Sequence, residues 1–150
     1  MQIVADLDTF SHAHILASIS CPKFENLKPI RLVIDTGCTT TTILHYDIIR
    51  LGINCSTLQR SSNPSATADI EVFPYILPNV ILTLLVRHGW FNLRHDFMQF
   101  HLHHVDCLPS NTTTQVTLER LQLAYSLLGM DFLKLFKRWR FTDKQLILET

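Results

Sequence analysis

Apolar residues come in short runs separated by polar turn residues along this chain, which predicts a domain built mostly of β-strands. Several runs are rich in valine, isoleucine or threonine, residue types that favour strands. A closing hairpin is predicted around the turn pair Asp143-Lys144. The predicted strands are His14–Ser20, Ile30–Asp35, Asn79–Val86, Phe97–Val105, Lys137–Thr142 and Gln145–Glu149.

Helical spacing of apolar residues is confined to short segments. Gly52 follows the first of them and predicts a helix stop, since glycine readily adopts the left-handed conformation that ends a helix. Asp131 begins the last of them, where we expect its carboxylate to act as the helix N-cap. The predicted helices are His45–Leu51, Val116–Tyr125 and Asp131–Phe136.

The least apolar part of the middle of the chain, Leu58 to Ile76, predicts a long hairpin. Its first half contains Ser61-Ser62-Asn63-Pro64-Ser65, a cluster of residues that favour turns. Its second half, Asp69–Tyr75, alternates between polar and apolar residues as a strand does. We therefore expect a hairpin whose tip extends from the body of the domain.

The composition narrows the class of protein. The chain has 150 residues, of which 47% are apolar and 17% charged, so we expect one globular domain spanning residues 1–150. Thirteen basic and 13 acidic side chains give a net charge of zero, which provides no global field for attracting nucleic acid or an anionic membrane. We therefore expect neither of them as a partner.

The sequence also bears on location. No apolar run reaches the ~18–20 residues needed to cross a bilayer, and the N-terminal MQIVADLD carries acids where a signal peptide carries bases. The four cysteines are widely spaced, which favours reduced thiols in a reducing compartment. The sequence thus predicts a cytoplasmic protein with no membrane span.

An aspartate at the end of an apolar strand is the sharpest chemical feature. The segment Arg31–Gly37 reads RLVIDTG, so that Asp35 ends the apolar run and Thr36 and Gly37 follow at once. Glycine allows the chain to turn sharply, which presents the carboxyl group from a rigid strand end. A carboxylate is costly at such a position unless it is hydrogen-bonded or used chemically.

These residues and a second motif resemble the retropepsin-like aspartic proteases. The first motif is VIDTGCTTT at Val33–Thr41, and the second is LLGMDFL at Leu127–Leu133. The order of elements fits as well, and the resemblance extends roughly from Leu16 to Leu148. It implies an all-β fold with a closed barrel, a flap hairpin and one or two short helices. It also implies hydrolysis of peptide bonds by water, with no metal and no cofactor.

The resemblance assigns roles to individual residues. Asp35 would be the catalytic carboxylate, and Thr36 would join hydrogen bonds between two active-site loops. Gly37, Cys38 and Thr39 would contact the substrate. Two departures from the family pattern stand out: Cys38 replaces the usual alanine or serine, and the hairpin has no glycine between Gln59 and Ile70. The first bears on pocket volume or redox sensitivity, and the second on flap mobility.

The presence of one motif per chain has a stoichiometric consequence. Attack of water on an amide is helped by two carboxyl groups that share one proton, and such a pair cannot carry two charges at ~3 Å. This chain has one Asp-Thr-Gly and no room for a second lobe. We therefore predict a homodimer that cleaves a peptide or protein substrate, with both Asp35 residues at its two-fold axis. Two alternatives stay open: a module of this fold that dimerises or binds peptides without useful turnover, and an unrelated β-barrel.

Other candidate sites have simpler interpretations. His101, His103 and His104 lie close in sequence and invite a zinc hypothesis, but zinc needs about four ligands in preset geometry, and surface or interface histidines are favoured. Trp139 lies within a basic stretch, yet alternation places it with Phe141 on one face of a half-buried strand, which disfavours nucleic-acid binding. The last predicted strand, Gln145–Glu149, fits a dimer interface and a barrel strand equally well.

Overall fold

The computed structural model describes residues 2–22, 24, 28–67, 70–86, 89–104, 107 and 125–150. Within these residues the chain forms eleven strands, two short α-helices and one 3₁₀ turn at Cys55–Thr57. The strands are β1 Gln2–Leu7, β2 Ala13–Ser20, β3 Ile30–Ile34, β4 Thr42–Leu44, β5 Ser65–Thr67, β6 Ile70–Val72, β7 Tyr75–Val86, β8 Gly89–His103, β9 Ser126–Leu128, β10 Arg138–Phe141 and β11 Gln145–Glu149. The helices are α1 His45–Leu51 and α2 Met130–Leu133.

Six of the strands close into a barrel, as predicted. Their order is β2-β3-β9-β4-β8-β7, and β7 pairs back onto β2 from Ala17↔Leu84 to Ser20↔Ile81. The strand pairs β3–β9 and β4–β8 are parallel, whereas the others are antiparallel. Alternate residues of β2 point inward, which buries Ile15 and Ile19 in the core. The all-β class and the closed barrel are both confirmed.

Strands β1 and β11 extend the sheet beyond the barrel. β1 lies between β2 and β11, and β11 pairs with β1 on one edge and with β10 on the other. Ile3 and Ala5 of β1 are fully buried, although the sequence pattern predicted no strand in this segment. Gln145–Glu149 is a sheet strand paired on both edges within its own chain, outside the six-stranded barrel, so the barrel-strand interpretation is wrong. Its place at a dimer interface stays a prediction.

The prediction that β10 is half-buried is wrong. All four of its residues are exposed, including Trp139 at 37% and Phe141 at 64%. β10 is an edge strand of the nine-stranded sheet among the described residues. On its aromatic face, Trp139 donates its indole N–H to the Leu133 carbonyl at 3.2 Å, whereas Phe141 is the more exposed of the two rings. The alternation of side chains predicted a strand correctly, but it does not show whether another part of the same chain covers the apolar face.

The long β7–β8 hairpin is longer than its sequence pattern indicates. β7 was predicted to begin at Asn79 but begins at Tyr75, and β8 begins at Gly89 rather than Phe97. The pairing register shifts between Leu77 and Val80, where Asn79 has a φ of 54°. Pro78 and Asn79 interrupt the strand pattern in the sequence, and a bulge absorbs both of them in the structure.

Helix α1 forms as predicted. Gly52 ends it with a φ of 70°, and its N–H donates to the carbonyl groups of Ile48 and Ile49. Asp47 is buried on the inner face, where its Oδ2 accepts a hydrogen bond from Ser126 Oγ at 2.7 Å and its Oδ1 lies 3.3 Å from Arg50 Nη2. Ser126 Oγ in turn accepts from the Leu44 N–H at 3.0 Å. This buried network ties α1 to β9.

Helix α2 is shorter than predicted and begins one residue earlier. Its N-cap is Gly129 rather than Asp131, which lies in the first turn. The third predicted helix, Val116–Tyr125, lies outside the described residues up to position 124. Among the described residues, no helix has the length and apolar character needed to cross a bilayer.

The hairpin predicted over Leu58 to Ile76 is present. β5 pairs antiparallel with β6 from Ser65↔Val72 to Thr67↔Ile70. Closer to the barrel, the Ile76 N–H donates to the Gln59 carbonyl at 2.8 Å. The hairpin thus rests on a hydrogen-bonded base that continues into β7.

One ionisable group lies deep in the barrel wall. His103 at the end of β8 is 2% exposed, and burial lowers its pKa from 6.5 to about 4, with a smaller contribution from nearby His101. The imidazole is therefore neutral in the folded protein at pH values where an exposed histidine is protonated. The free energy of unfolding consequently decreases as the pH falls below 6.5.

We expect His103→Leu to flatten the pH dependence of unfolding between pH 6.5 and pH 4. In the wild type the unfolded chain binds a proton at His103 that the folded protein excludes, so stability is full above pH 6.5 and falls by about 3 kcal/mol on approaching pH 4. Urea midpoints measured across this range test the slope. The control is Gln59→Ala, which changes an exposed side chain without an ionisable group and should keep the wild-type slope. An unchanged slope in His103→Leu contradicts the assignment.

Candidate active site

Asp35 lies directly after β3, in a turn that the backbone holds in place. Its N–H donates to the Leu128 carbonyl at 3.0 Å, and its carbonyl accepts from the Cys38 N–H at 3.3 Å. Its carboxylate Oδ1 accepts a hydrogen bond from the Gly37 N–H at 2.8 Å. A Cβ at position 37 would lie 3.2 Å from the same oxygen. Asp35 as a residue is half-buried, and its carboxyl group lies directly after the end of β3.

The second motif packs directly against this turn. Gly129 has an ordinary φ of −93°, so the backbone conformation does not require glycine there. Contact does: a Cβ would lie 2.7 Å from the Cys38 carbonyl oxygen and 2.9 Å from the Thr40 carbonyl carbon. Next to it, the Met130 N–H donates to the Cys38 carbonyl at 2.7 Å. The glycine is thus needed for close backbone packing.

A carboxylate and a hydroxyl lock the two motifs together. Asp131 accepts hydrogen bonds from the Thr41 N–H at 2.8 Å and from Thr41 Oγ1 at 2.7 Å. Thr41 Oγ1 also accepts from the Gly129 N–H at 3.1 Å. Thr41 is fully buried, so each of these bonds replaces contact with water. Asp131 therefore has a structural role, exerted through the Asp35 loop and not only within its own helix.

The remaining residues of the first motif differ in exposure. Thr36, Gly37 and Thr39 are exposed, whereas Cys38 is half-buried. The Cys38 thiol donates to the Thr40 carbonyl at 2.8 Å. Burial raises the pKa of this thiol above 9.0, and the charges of Asp35 and Asp131 add to the shift. A thiol that stays protonated reacts slowly, which favours packing over redox regulation as the role of Cys38.

A cavity of about 160 Å³ opens beside Asp35 and Thr36. Its other walls include side chains that the sequence analysis did not assign to a site, above all His12, Trp139 and Phe141. The alternation in β10 had placed Trp139 and Phe141 on one face but not next to Asp35. His12 comes from the turn before β2 and carries no signal of this proximity in the sequence.

His101, His103 and His104 do not form a group of potential metal ligands among the described residues. The His104 ring packs against the His45 ring, with their centroids 4.6 Å apart, and burial lowers the pKa of His101. Within the part of the chain that the structure describes, one set of three potential ligands lies close enough for a metal ion. This set is Asp8, His12 and His14.

We expect Gly129→Ala to destabilise the protein by about 1–3 kcal/mol, because the new methyl group meets backbone atoms that cannot swing aside. Urea unfolding measures the loss, and faster hydrogen exchange of the Thr41 and Met130 amides locates it. Gly52→Ala is the matched control: it costs about 1 kcal/mol through its positive φ and leaves those two amides protected. A wild-type midpoint for Gly129→Ala contradicts the packing argument.

Comparison with known proteins bears on the fold. No protein-family model and no curated protein matches the chain. Among solved structures, the chain is similar to a retropepsin-like aspartic protease from Rickettsia conorii, with a TM-score of 0.61 and 23% sequence identity. The match covers 99% of this chain and 89% of the other. The chain therefore has the fold of the retropepsin-like aspartic proteases, as its two motifs predicted.

Proposed function

We propose that this protein is an aspartic endopeptidase that acts as a homodimer on a peptide or protein substrate. The observation that carries the proposal is the presentation of Asp35. Its carboxyl group stands at a strand end, is oriented by the Gly37 N–H, and borders an open cavity. The loop behind it is held by buried hydrogen bonds and by backbone packing, which supplies the rigidity that catalysis requires.

The chemistry calls for two copies of Asp35. One carboxylate removes a proton from water, and the resulting hydroxide attacks the carbonyl carbon of the scissile bond. The other carboxyl group, initially protonated, gives its proton to the carbonyl oxygen. In the collapse of the tetrahedral diol, the carboxyl group that took the proton from water gives it to the departing nitrogen and the C–N bond breaks. The other carboxylate takes a proton from a hydroxyl of the diol as the C=O bond re-forms. No bond forms between protein and substrate, and the pair again holds one proton at the end.

The exposed face around Asp35 supports pairing of two chains. Trp139 and Phe141 line the same cavity as Asp35 and are 37% and 64% exposed. Phe10 is 79% exposed, and its ring lies 6.3 Å from that of His12, which also lines this cavity. An apolar surface next to a half-site is typical of an interface between subunits. In this arrangement the exposed Thr36 joins hydrogen bonds between the two loops.

Substrate would occupy the space beside the paired loops. Gly37, Cys38 and Thr39 would contact the peptide, and the β5–β6 hairpin would cover it as a flap. None of the four cysteines, all of which the structure describes, forms a disulfide, which supports a cytoplasmic location. The alternative is a module of the same fold that binds peptides without cleaving them.

We expect Asp35→Asn to reduce peptide cleavage by about 10³-fold or more, because an amide neither accepts the proton from water nor shares a proton with its partner. Cleavage of a denatured-protein substrate, read by mass spectrometry, measures the effect. The control is Asp143→Asn, which changes an exposed carboxylate in the β10–β11 turn. Cleavage that persists in Asp35→Asn contradicts the assignment of Asp35 as the catalytic carboxylate. Peptide binding without cleavage by the wild type supports the alternative.

We expect Phe141→Asp to weaken self-association by at least about ten-fold, because it places a charge on the face that would be buried between chains. Sedimentation across a concentration series measures the dimer constant, and specific activity should fall in parallel on dilution. Tyr46→Asp, which alters an aromatic side chain of α1 that is 59% exposed, should leave association unchanged. If both variants associate like the wild type, the interface lies elsewhere.

A further inference from the structure

Three potential metal ligands converge at the turn between β1 and β2. His14 Nε2 lies 2.7 Å from Asp8 Oδ2, and His12 Nδ1 lies 3.6 Å from the same oxygen. One ligand atom from each of the three side chains lies within 4.8 Å of the others. These distances are close to the separation of about 3.3 Å that two ligands of one tetrahedral zinc ion adopt.

The turn holds the carboxylate of Asp8 in position. Asp8 Oδ1 accepts hydrogen bonds from the Phe10 N–H at 2.8 Å and the His12 N–H at 2.9 Å. The Ser11 N–H donates to the Asp8 carbonyl at 3.0 Å, and Ser11 has a φ of 62°. Because Oδ1 is engaged by the backbone, Oδ2 is left facing the two imidazole rings. Little conformational freedom remains to be lost when a metal binds there.

We propose that Asp8, His12 and His14 bind a Zn²⁺ ion, with a fourth coordination position open to solvent. Two imidazole nitrogens and one carboxylate oxygen form a ligand set that suits zinc and related first-row metals, whereas Mg²⁺ and Ca²⁺ favour sites built from oxygen alone. The site goes beyond the proposed peptidase function and does not depend on it.

The surroundings of the three side chains allow a metal ion to enter and set the binding affinity that we expect. His12 has a side chain that is 60% exposed, and Asp8 and His14 line a second surface depression that also includes Arg31. The other ring nitrogen of His14, Nδ1, is buried with no hydrogen-bond partner among the described residues. Support from such a second hydrogen bond typically strengthens zinc sites by 10- to 100-fold. We therefore expect micromolar rather than tighter affinity.

Calorimetry with tag-free full-length protein tests the site, with ZnCl₂ as the probe. We expect one Zn²⁺ per chain, release by a chelator, and no heat from MgCl₂ or CaCl₂. Substitution of cobalt gives an independent readout, because tetrahedral Co²⁺ with nitrogen and oxygen ligands absorbs strongly in the visible range. His12→Asn should weaken Zn²⁺ binding by at least about ten-fold. Asp8→Asn should do the same while retaining an oxygen that accepts the two backbone N–H groups.

The control is His104→Asn, which removes a histidine outside this set and should bind Zn²⁺ like the wild type. Absence of Zn²⁺ binding by the wild type overturns the proposal, and so does binding that His12→Asn and Asp8→Asn leave unchanged. Loss of binding in His104→Asn alone would assign the ion to the group His101, His103 and His104 instead and would likewise overturn the proposal. Since none of these measurements uses peptide cleavage, they stand whether or not the protein proves to be a peptidase.

Discussion

The contact between Gly129 and the backbone of the Cys38–Thr41 loop constrains the rest of the structure. Two segments about 90 residues apart in sequence approach so closely that a single methyl group would overlap a carbonyl oxygen. The two hydrogen bonds between Thr41 and Asp131 fix the distance and the direction of that approach. The contact also fixes the register of the parallel pairing between β3 and β9. It therefore sets the position at which β3 ends and Asp35 follows.

The region around Asp35 combines a rigid loop on one side with an exposed apolar surface on the other. Behind Asp35, Thr41 is buried and hydrogen-bonded to Asp131 and Gly129, whereas the side in front carries exposed aromatic residues and an open cavity. A structure that needed only stability would cover that side. A rigid loop behind the carboxyl group and an uncovered apolar surface in front of it fit one half of a site shared by two subunits better than a site complete in one chain.

The sequence was informative where structure is set locally. β2, β3 and α1 each carry their own periodicity, and Gly52 marks the end of α1 by its own conformation. The two motifs indicated the fold because close backbone packing and a strand-end carboxylate require particular residues. The sequence pattern did not predict β1, because formation of this strand depends on pairing with β11, far away in sequence. The exposure of β10 was hidden because a strand pattern does not show what covers its apolar face. The convergence of Asp8 with His14 was hidden because it depends on the conformation of the turn between β1 and β2, where Ser11 has a φ of 62°.

The edge position of β10 has a consequence for how copies of this chain can meet. Arg138 and Arg140 share one face of that strand, and Trp139 and Phe141 share the other. Antiparallel alignment of two such edges would crowd four guanidinium groups onto one side, which the unscreened Coulomb repulsion opposes. At low ionic strength this repulsion disfavours the edge-to-edge pairing by which chains would extend into fibres. Added salt shortens the Debye length, screens the repulsion and so weakens this protection. The arginines therefore act as gatekeepers that leave the aromatic face as the favoured route of association.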